Sequence, residues 1–163
     1  MFDSNYAYSG GVIELDASLL VGQDTSFMNN HAQYGGGIWG MTTSVIQLSG
    51  SITFENNSAA QYGGGIGIFD ISILFGSGIQ FSNNHAKNGG GISCIVNSTL
   101  RLNGSVMFSN NSATESGGGI NLFGSLLVGK DNISFIKNHA QVGGGLYSEL
   151  CKLIVSKGVI CTM

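Results

Sequence analysis

Proline is missing from this 163-residue chain, and charge is scarce: Asp, Glu, Lys and Arg together make up 9% of it, against about 25% in an average globular protein. Disordered chains are charge-rich and poor in β-branched residues. This chain is the reverse, with 42% hydrophobic residues and a mean hydropathy of +0.23, so it can bury a core. Arg101 is the only arginine and the net charge is −3, which leaves no basic footprint for nucleic acid or an anionic membrane. No run reaches the ~18 apolar residues of a helical membrane span. Val12 to Val21 holds Glu14 and Asp16, and Gly63 to Phe81 is broken by glycines and Asp70. Helix periodicity is absent too, and glycines interrupt the chain every ~10 residues. That excludes leucine-rich, ankyrin and tetratricopeptide arrays in their usual forms. The three cysteines (Cys94, Cys151, Cys161) show no CxxC spacing. They read as small buried residues, with Cys151 and Cys161 the only locally plausible disulfide pair.

What the chain has is a repeat. Phenylalanines at Phe2, Phe27, Phe54, Phe81, Phe108 and Phe135 step by 25 residues once and by 27 four times. A fixed period of that size marks a solenoid of stacked units. Each unit reads Phe-x-x-Asn, then Ala two residues on, then a glycine run, then an apolar residue. The asparagines are Asn5, Asn30, Asn57, Asn84, Asn111 and Asn138, and the closing apolar residues are Val12, Ile38, Ile66, Ile92, Ile120 and Leu146. Units beginning at Phe27, Phe81 and Phe135 read Asn-His-Ala. Those at Phe54 and Phe108 read Asn-Ser-Ala and carry one extra residue before the glycines. The alternation points to duplication of a two-unit block.

Each unit divides into three short strands separated by turn residues. Ile66 to Phe69, Ser72 to Phe75 and Ile79 to Phe81 are one set, and period-2 alternation shows in Ile52-Thr53-Phe54 and Leu100-Arg101-Leu102. Three strands per ~27 residues, all in one rotational sense, give one coil of a parallel β-helix. About six coils at ~4.8 Å spacing make a rod on the order of 30 Å long. The fold class is therefore all-β, a parallel β-helix solenoid over residues 1–163. Stacking puts Phe27, Phe54, Phe81, Phe108 and Phe135 in one interior column. It puts Asn30, Asn57, Asn84, Asn111 and Asn138 in another at a bend, where each amide can bond the same amide one coil on.

The paired motifs, such as Phe27-x-x-Asn30 with Gly36-Gly37-Ile38, resemble the FxxN and GGA(I/L/V) motifs of the chlamydial polymorphic membrane protein repeats. One departure is consistent: Gly37, Gly65, Gly91, Gly119 and Gly145 stand where that family often has Ala. The resemblance implies a right-handed, pectin-lyase-like parallel β-helix with an extracellular, adhesive or passenger role. It also implies membrane attachment only through parts absent from this chain. Met1 is followed at once by a repeat, without a leader signature, and Met163 falls just short of the next Phe-x-x-Asn. The expectation is a single region excised from a longer array, with uncapped ends that self-associate end to end.

Candidate chemistry is thin. His31, His85 and His139 recur every second unit, so neighbouring rings are roughly 9 to 10 Å apart, too far to share a zinc ion with bonds of about 2 Å. The glycine runs lack the Gly-Lys-Ser/Thr of a phosphate loop, the GxGxxG of a dinucleotide site and the Asp of calcium-binding nonapeptides. Asp3, Asp16, Asp24, Asp70 and Asp131 occupy different repeat positions, so no carboxylate pair suits glycoside hydrolysis. No catalytic, cofactor or metal residue is expected. Sequons at Asn56, Asn97, Asn103, Asn110 and Asn132 are possible glycosylation sites and fit a secreted eukaryotic chain.

The expected role is a non-catalytic extracellular or cell-surface rod that presents a surface to proteins or glycans, with no nucleic-acid partner and no cofactor. Specificity would sit at the positions that differ between coils: Trp39, Gly67, Ser93, Asn121 and Tyr147, with Trp39 or Tyr147 exposed for stacking on a sugar. The alternative is the scaffold portion of a polysaccharide-active enzyme whose site lies outside this segment.

Overall fold

The computed structural model describes residues 1–156 and, for the strand Val159–Thr162, the backbone. It is a parallel β-solenoid. The described residues contain no helix, and their strands form four sheets of seven, six, six and four strands running along the coil stack. A complete coil runs Ile52–Glu55, Ser58–Tyr62, Ile66–Phe69 and Ile73–Ser77. Whether Cys151 pairs with Cys161, the one locally plausible disulfide, lies outside the described residues, because the side chain of Cys161 is not among them.

The Phe column is formed as expected. Phe27, Phe54, Phe81, Phe108 and Phe135 are partners in register. Their rings stack at 4.6 to 5.1 Å between centroids and within 12° of parallel. Ile38, Ile66, Ile92 and Ile120 form a second buried column, and Ile46, Leu74, Leu100 and Leu127 a third. Together they fill a continuous core along the axis. At the first coil the column residue is Ile13, not Val12 as the motif suggested. The first step is 25 residues rather than 27, and Val12 takes the place that a third glycine holds in later coils.

Each coil also has a fourth strand that the sequence does not announce. His31–Tyr34, Ser58–Tyr62, His85–Asn88 and Ser112–Ser116 pair as a sheet of their own. The backbone groups between the Asn bend and the glycines need partners, and the next coil supplies them. The extra residue of alternate units is absorbed as a register shift within these pairings. The sheet is thin inside, where Ala32, Ala59, Ala86 and Ala113 are buried.

The three glycines of each run answer three separate constraints. The first, as in Gly89, has a φ of +68°, a left-handed turn that costs glycine nothing. At the second, an added Cβ would strike backbone: at Gly90 it would lie 2.4 Å from the carbonyl oxygens of both Gly118 and Ser112. At the third, it would meet a Phe ring of the next coil. The Cβ at Gly91 would stand 2.9 Å from Phe108 and 2.7 Å from the Gly119 oxygen. The first coil already holds Val12 at the third position.

The expected outcome is a ranked response to alanine. Gly90→Ala, with no side chain nearby to give way, destabilises by about 3 kcal/mol or more. Gly91→Ala costs less, about 1–2 kcal/mol: its Cβ also approaches the Gly119 oxygen, but the first coil carries Val12 at the equivalent position. Urea unfolding checks this, and equal costs would contradict the assignment.

Candidate functional site

The Asn bend is a closed hydrogen-bond ladder. Asn30 Nδ2 donates to Asn57 Oδ1 at 2.9 Å, Asn57 to Asn84 at 3.0 Å, Asn84 to Asn111 at 2.9 Å and Asn111 to Asn138 at 3.0 Å. Each Oδ1 also accepts the backbone N–H of the preceding Asn, as Asn84 Oδ1 does from Asn57 N at 2.9 Å. The second Nδ2 proton goes to a Phe carbonyl, as from Asn84 to Phe54 O. No buried side-chain nitrogen or oxygen among the described residues lacks a partner. The ladder is structural and leaves no donor for a ligand.

A second ladder was not anticipated. Ser44, Ser72 and Ser98 are buried at the bend after the Ile strands. Ser72 Oγ accepts from Ser44 N at 3.2 Å and donates to Phe69 O at 2.7 Å. Cys151 continues this column, its Sγ 3.4 Å from Ser125 N. The signal was present as Ser18, Ser44, Ser72, Ser98 and Ser125, but serine is common throughout the chain.

The histidines stand on the outer face of the fourth sheet and alternate with serines. His31 Nδ1 lies 2.6 Å from Ser58 Oγ, and His85 Nδ1 lies 2.9 Å from Ser112 Oγ. Among the described residues no three His, Cys, Asp or Glu gather in a metal-binding group. The sequon residues Asn56, Asn97, Asn103, Asn110 and Asn132 are all exposed.

One surface feature with depth is a trough. In each Ile strand the residue after the buried Ile points outward, giving a floor of Glu14, Trp39, Gly67, Ser93, Asn121 and Tyr147 in register. One wall is the end of the fourth sheet: Tyr34, Tyr62, Asn88 and Ser116. The other is the end of the Ile strands: Phe69, Ile95, Phe123 and Glu149. Two hollows, of about 460 and 590 Å³, share Tyr62, Phe69 and Ile95 and so form one depression. From Glu14 to Tyr147 it crosses five coil steps, roughly 24 Å.

Trp39 is not the exposed residue that alternation suggested. It is 7% accessible. Its ring lies over Gly67, where a Cβ would come within 2.4 Å of it. Tyr34 closes one side at 5.3 Å and Phe69 the other at 6.3 Å. Ser93 and Asn121 are buried as well, linked by Asn121 Nδ2 donating to Ser93 Oγ at 3.2 Å. Tyr147 is half-buried, and its hydroxyl donates to Glu149 at 2.6 Å, a bond that raises its pKa above the usual phenol range. Three carboxylates line the trough: Glu14, Glu115 and Glu149. Glu115 pairs with Lys87 at 3.2 Å, and no Lys or Arg among the described residues lines either hollow.

Residues 51–68, 78–95 and 105–122 match the profile of the Chlamydia polymorphic membrane protein repeat. Each matched segment carries one Phe-x-x-Asn bend, one fourth-sheet strand, one glycine run and the start of one Ile strand. These segments are similar to that repeat in the same register as the coils. No curated protein and no solved structure matches the chain.

The buried thiol behind the trough floor is not a nucleophile. Cys94 is fully inaccessible, and burial pushes its pKa up to about 12, so it stays neutral in the folded chain. An unfolded chain would ionise it near 9. Its contribution to stability is therefore present below pH 9 and lost as pH rises from there toward 12. Iodoacetamide at pH 9 should label Cys151 in the native chain and leave Cys94 untouched, with Cys94 reacting only after denaturation. Mass mapping that finds Cys94 labelled at the rate of Cys151 would contradict the burial.

Proposed function

We propose that this chain is a non-catalytic β-solenoid segment of a cell-surface or extracellular protein, and that it works by presenting the trough as a binding surface. The similarity to polymorphic membrane protein repeats supports the surface assignment; that repeat family is not known as catalytic. The observation that carries the binding reading is the trough itself. The residues that build the solenoid are the same from coil to coil, whereas the floor changes at every step from Glu14 to Tyr147. An array used only for length has no need of an aromatic hollow, and exposed apolar patches of this kind mark interaction sites.

The polysaccharide-enzyme alternative finds no support in the trough. The carboxylates at its two ends, Glu14 and Glu149, are five coils apart, roughly 24 Å, where glycoside hydrolysis needs about 5–9.5 Å, and Glu115, which shares a hollow with Glu149, is held by Lys87. With no Lys or Arg among the described lining residues, the trough also disfavours an acidic polymer. In a eukaryotic secretory route the five exposed sequon asparagines would accept carbohydrate, and none of them lines the trough.

Beads coated with the full chain test this reading on a panel of cultured cells. Adhesion should saturate. It should fall at least fivefold when Phe69→Ser and Phe123→Ser are combined, both exposed on the trough wall. It should survive Leu19→Ser with Val21→Ser, which are exposed on another sheet. No adhesion, or equal loss in both pairs, would overturn it.

A further inference from the structure

The trough's own chemistry narrows its occupant, granted the reading above that this face binds something. Its hydrogen-bonding groups are largely spent on one another. Ser116 Oγ lies 2.6 Å from Asn88 Oδ1 and 2.9 Å from Asn121 Oδ1. Asn121 is bonded to Ser93, and the Tyr147 hydroxyl to Glu149. A glycan, which needs many free polar partners for its hydroxyls, finds few.

The apolar groups are the available ones. Phe69, Phe123, Val96 and Val142 are exposed side by side along the trough, whereas other exposed aliphatics, such as Leu19, Val21 and Leu153, lie on another sheet. Val96 lines the trough, and Ile71 is exposed in the equivalent bend of another coil. Both are β-branched residues held at positive φ, +57° and +60°, a conformation such side chains rarely adopt. The bend recurs from coil to coil, at Thr43, Asp70 and Leu150 among others, so the solenoid corner itself holds Val96 outward on the trough rim. The aliphatic Val96 and Val142 offer no flat face to a sugar ring, and together with Phe69, Phe123 and the cluster of Tyr34, Tyr62, Trp39 and Met41 they fit apolar side chains of a polypeptide.

Charge points the same way. Glu115 is satisfied by Lys87. Glu14 at one end and Glu149 at the other are exposed carboxylates, and among the described residues neither is paired with a cation. A complementary partner is basic, and an ammonium or guanidinium near Glu14 would enter the hollow that also holds Tyr8 and Tyr34, where ring faces favour cations. The floor is the face of a sheet, not its edge, so the partner's side chains, rather than strand addition, would carry the contact.

We propose that the trough binds an extended polypeptide segment with apolar side chains in its middle and a lysine or arginine toward its ends. At ~3.3 Å per residue, a trough of roughly 24 Å spans about seven residues.

The test is selection of a random linear dodecapeptide display library on the immobilised full chain. Selected peptides are then synthesised and titrated while following the emission of Trp39, the only tryptophan in the chain. The expected winners carry at least one Lys or Arg with two or more apolar residues, shift Trp39 emission and lose affinity when cut below seven residues. They should bind about tenfold more weakly to Glu14→Lys and to Phe69→Ser. Both substitutions are at exposed positions, so circular dichroism should show the fold unchanged. Winners without basic residues, or with affinities unmoved by either variant, would overturn the proposal. A neutral glucose hexasaccharide that shifts Trp39 emission when no peptide does would overturn the polypeptide assignment and keep the binding surface. If neither peptide nor hexasaccharide binds, both readings fall.

Discussion

Everything in this molecule depends on identical residues meeting themselves one coil on, and the tightest form of that constraint is the asparagine amide. A buried primary amide has two donors and an acceptor with two lone pairs to satisfy, and an unsatisfied one costs about 1–3 kcal/mol per group. At Asn84 all are used: Oδ1 takes the side chain and backbone N–H of Asn57, and Nδ2 gives to Asn111 and to Phe54. The arrangement closes only if every coil has Asn at the same height and the same place. Slipping the register by one residue would break the ladder and unstack the Phe column beside it. Polar satisfaction and apolar packing therefore enforce the same register.

That shared register explains how a low-charge, glycine-rich chain holds one shape while leaving a surface free to vary. Interior columns are pinned by their neighbours above and below. The glycine run brings the fourth sheet back hard against the core, backbone on backbone, and the corner it makes is the concave side of the trough. Floor positions then face outward between two walls. Their side chains answer to each other and to the two walls, not to the ladder. Trp39 over Gly67 shows the coupling between adjacent coils: a large floor residue is accommodated because the next coil has no side chain there.

The sequence disclosed the parts that repeat. Phe, Asn and Ile columns were legible because the same residue returns at a nearly constant step, and stacking turns that step into contact. The fourth strand was hidden because His31-Ala32-Gln33-Tyr34 has no apolar alternation; only pairing with the next coil makes it a strand. The serine ladder was hidden by abundance, since Ser18, Ser44, Ser72, Ser98 and Ser125 recur among many other serines. Trp39 was misplaced for a different reason. Alternation tells which side of a strand a residue takes, and it took the outer side. It does not tell that Tyr34 and Phe69, from the two flanking columns, close over that side. The trough is a property of three columns at once and of the corner between two sheets, so no single repeat position could reveal it.

Hydrogen exchange at the asparagine side chains is the most direct measurement. In an ¹⁵N-labelled chain the Nδ2 protons of Asn57, Asn84 and Asn111 should be slowed by roughly a thousandfold or more relative to a free amide, since only opening of the surrounding fold releases them. The exposed Asn56, Asn83 and Asn110 next to them should exchange like solvent-facing side chains. If the two sets exchange alike, the amides are not stacked in a ladder, and the in-register solenoid built on them is wrong.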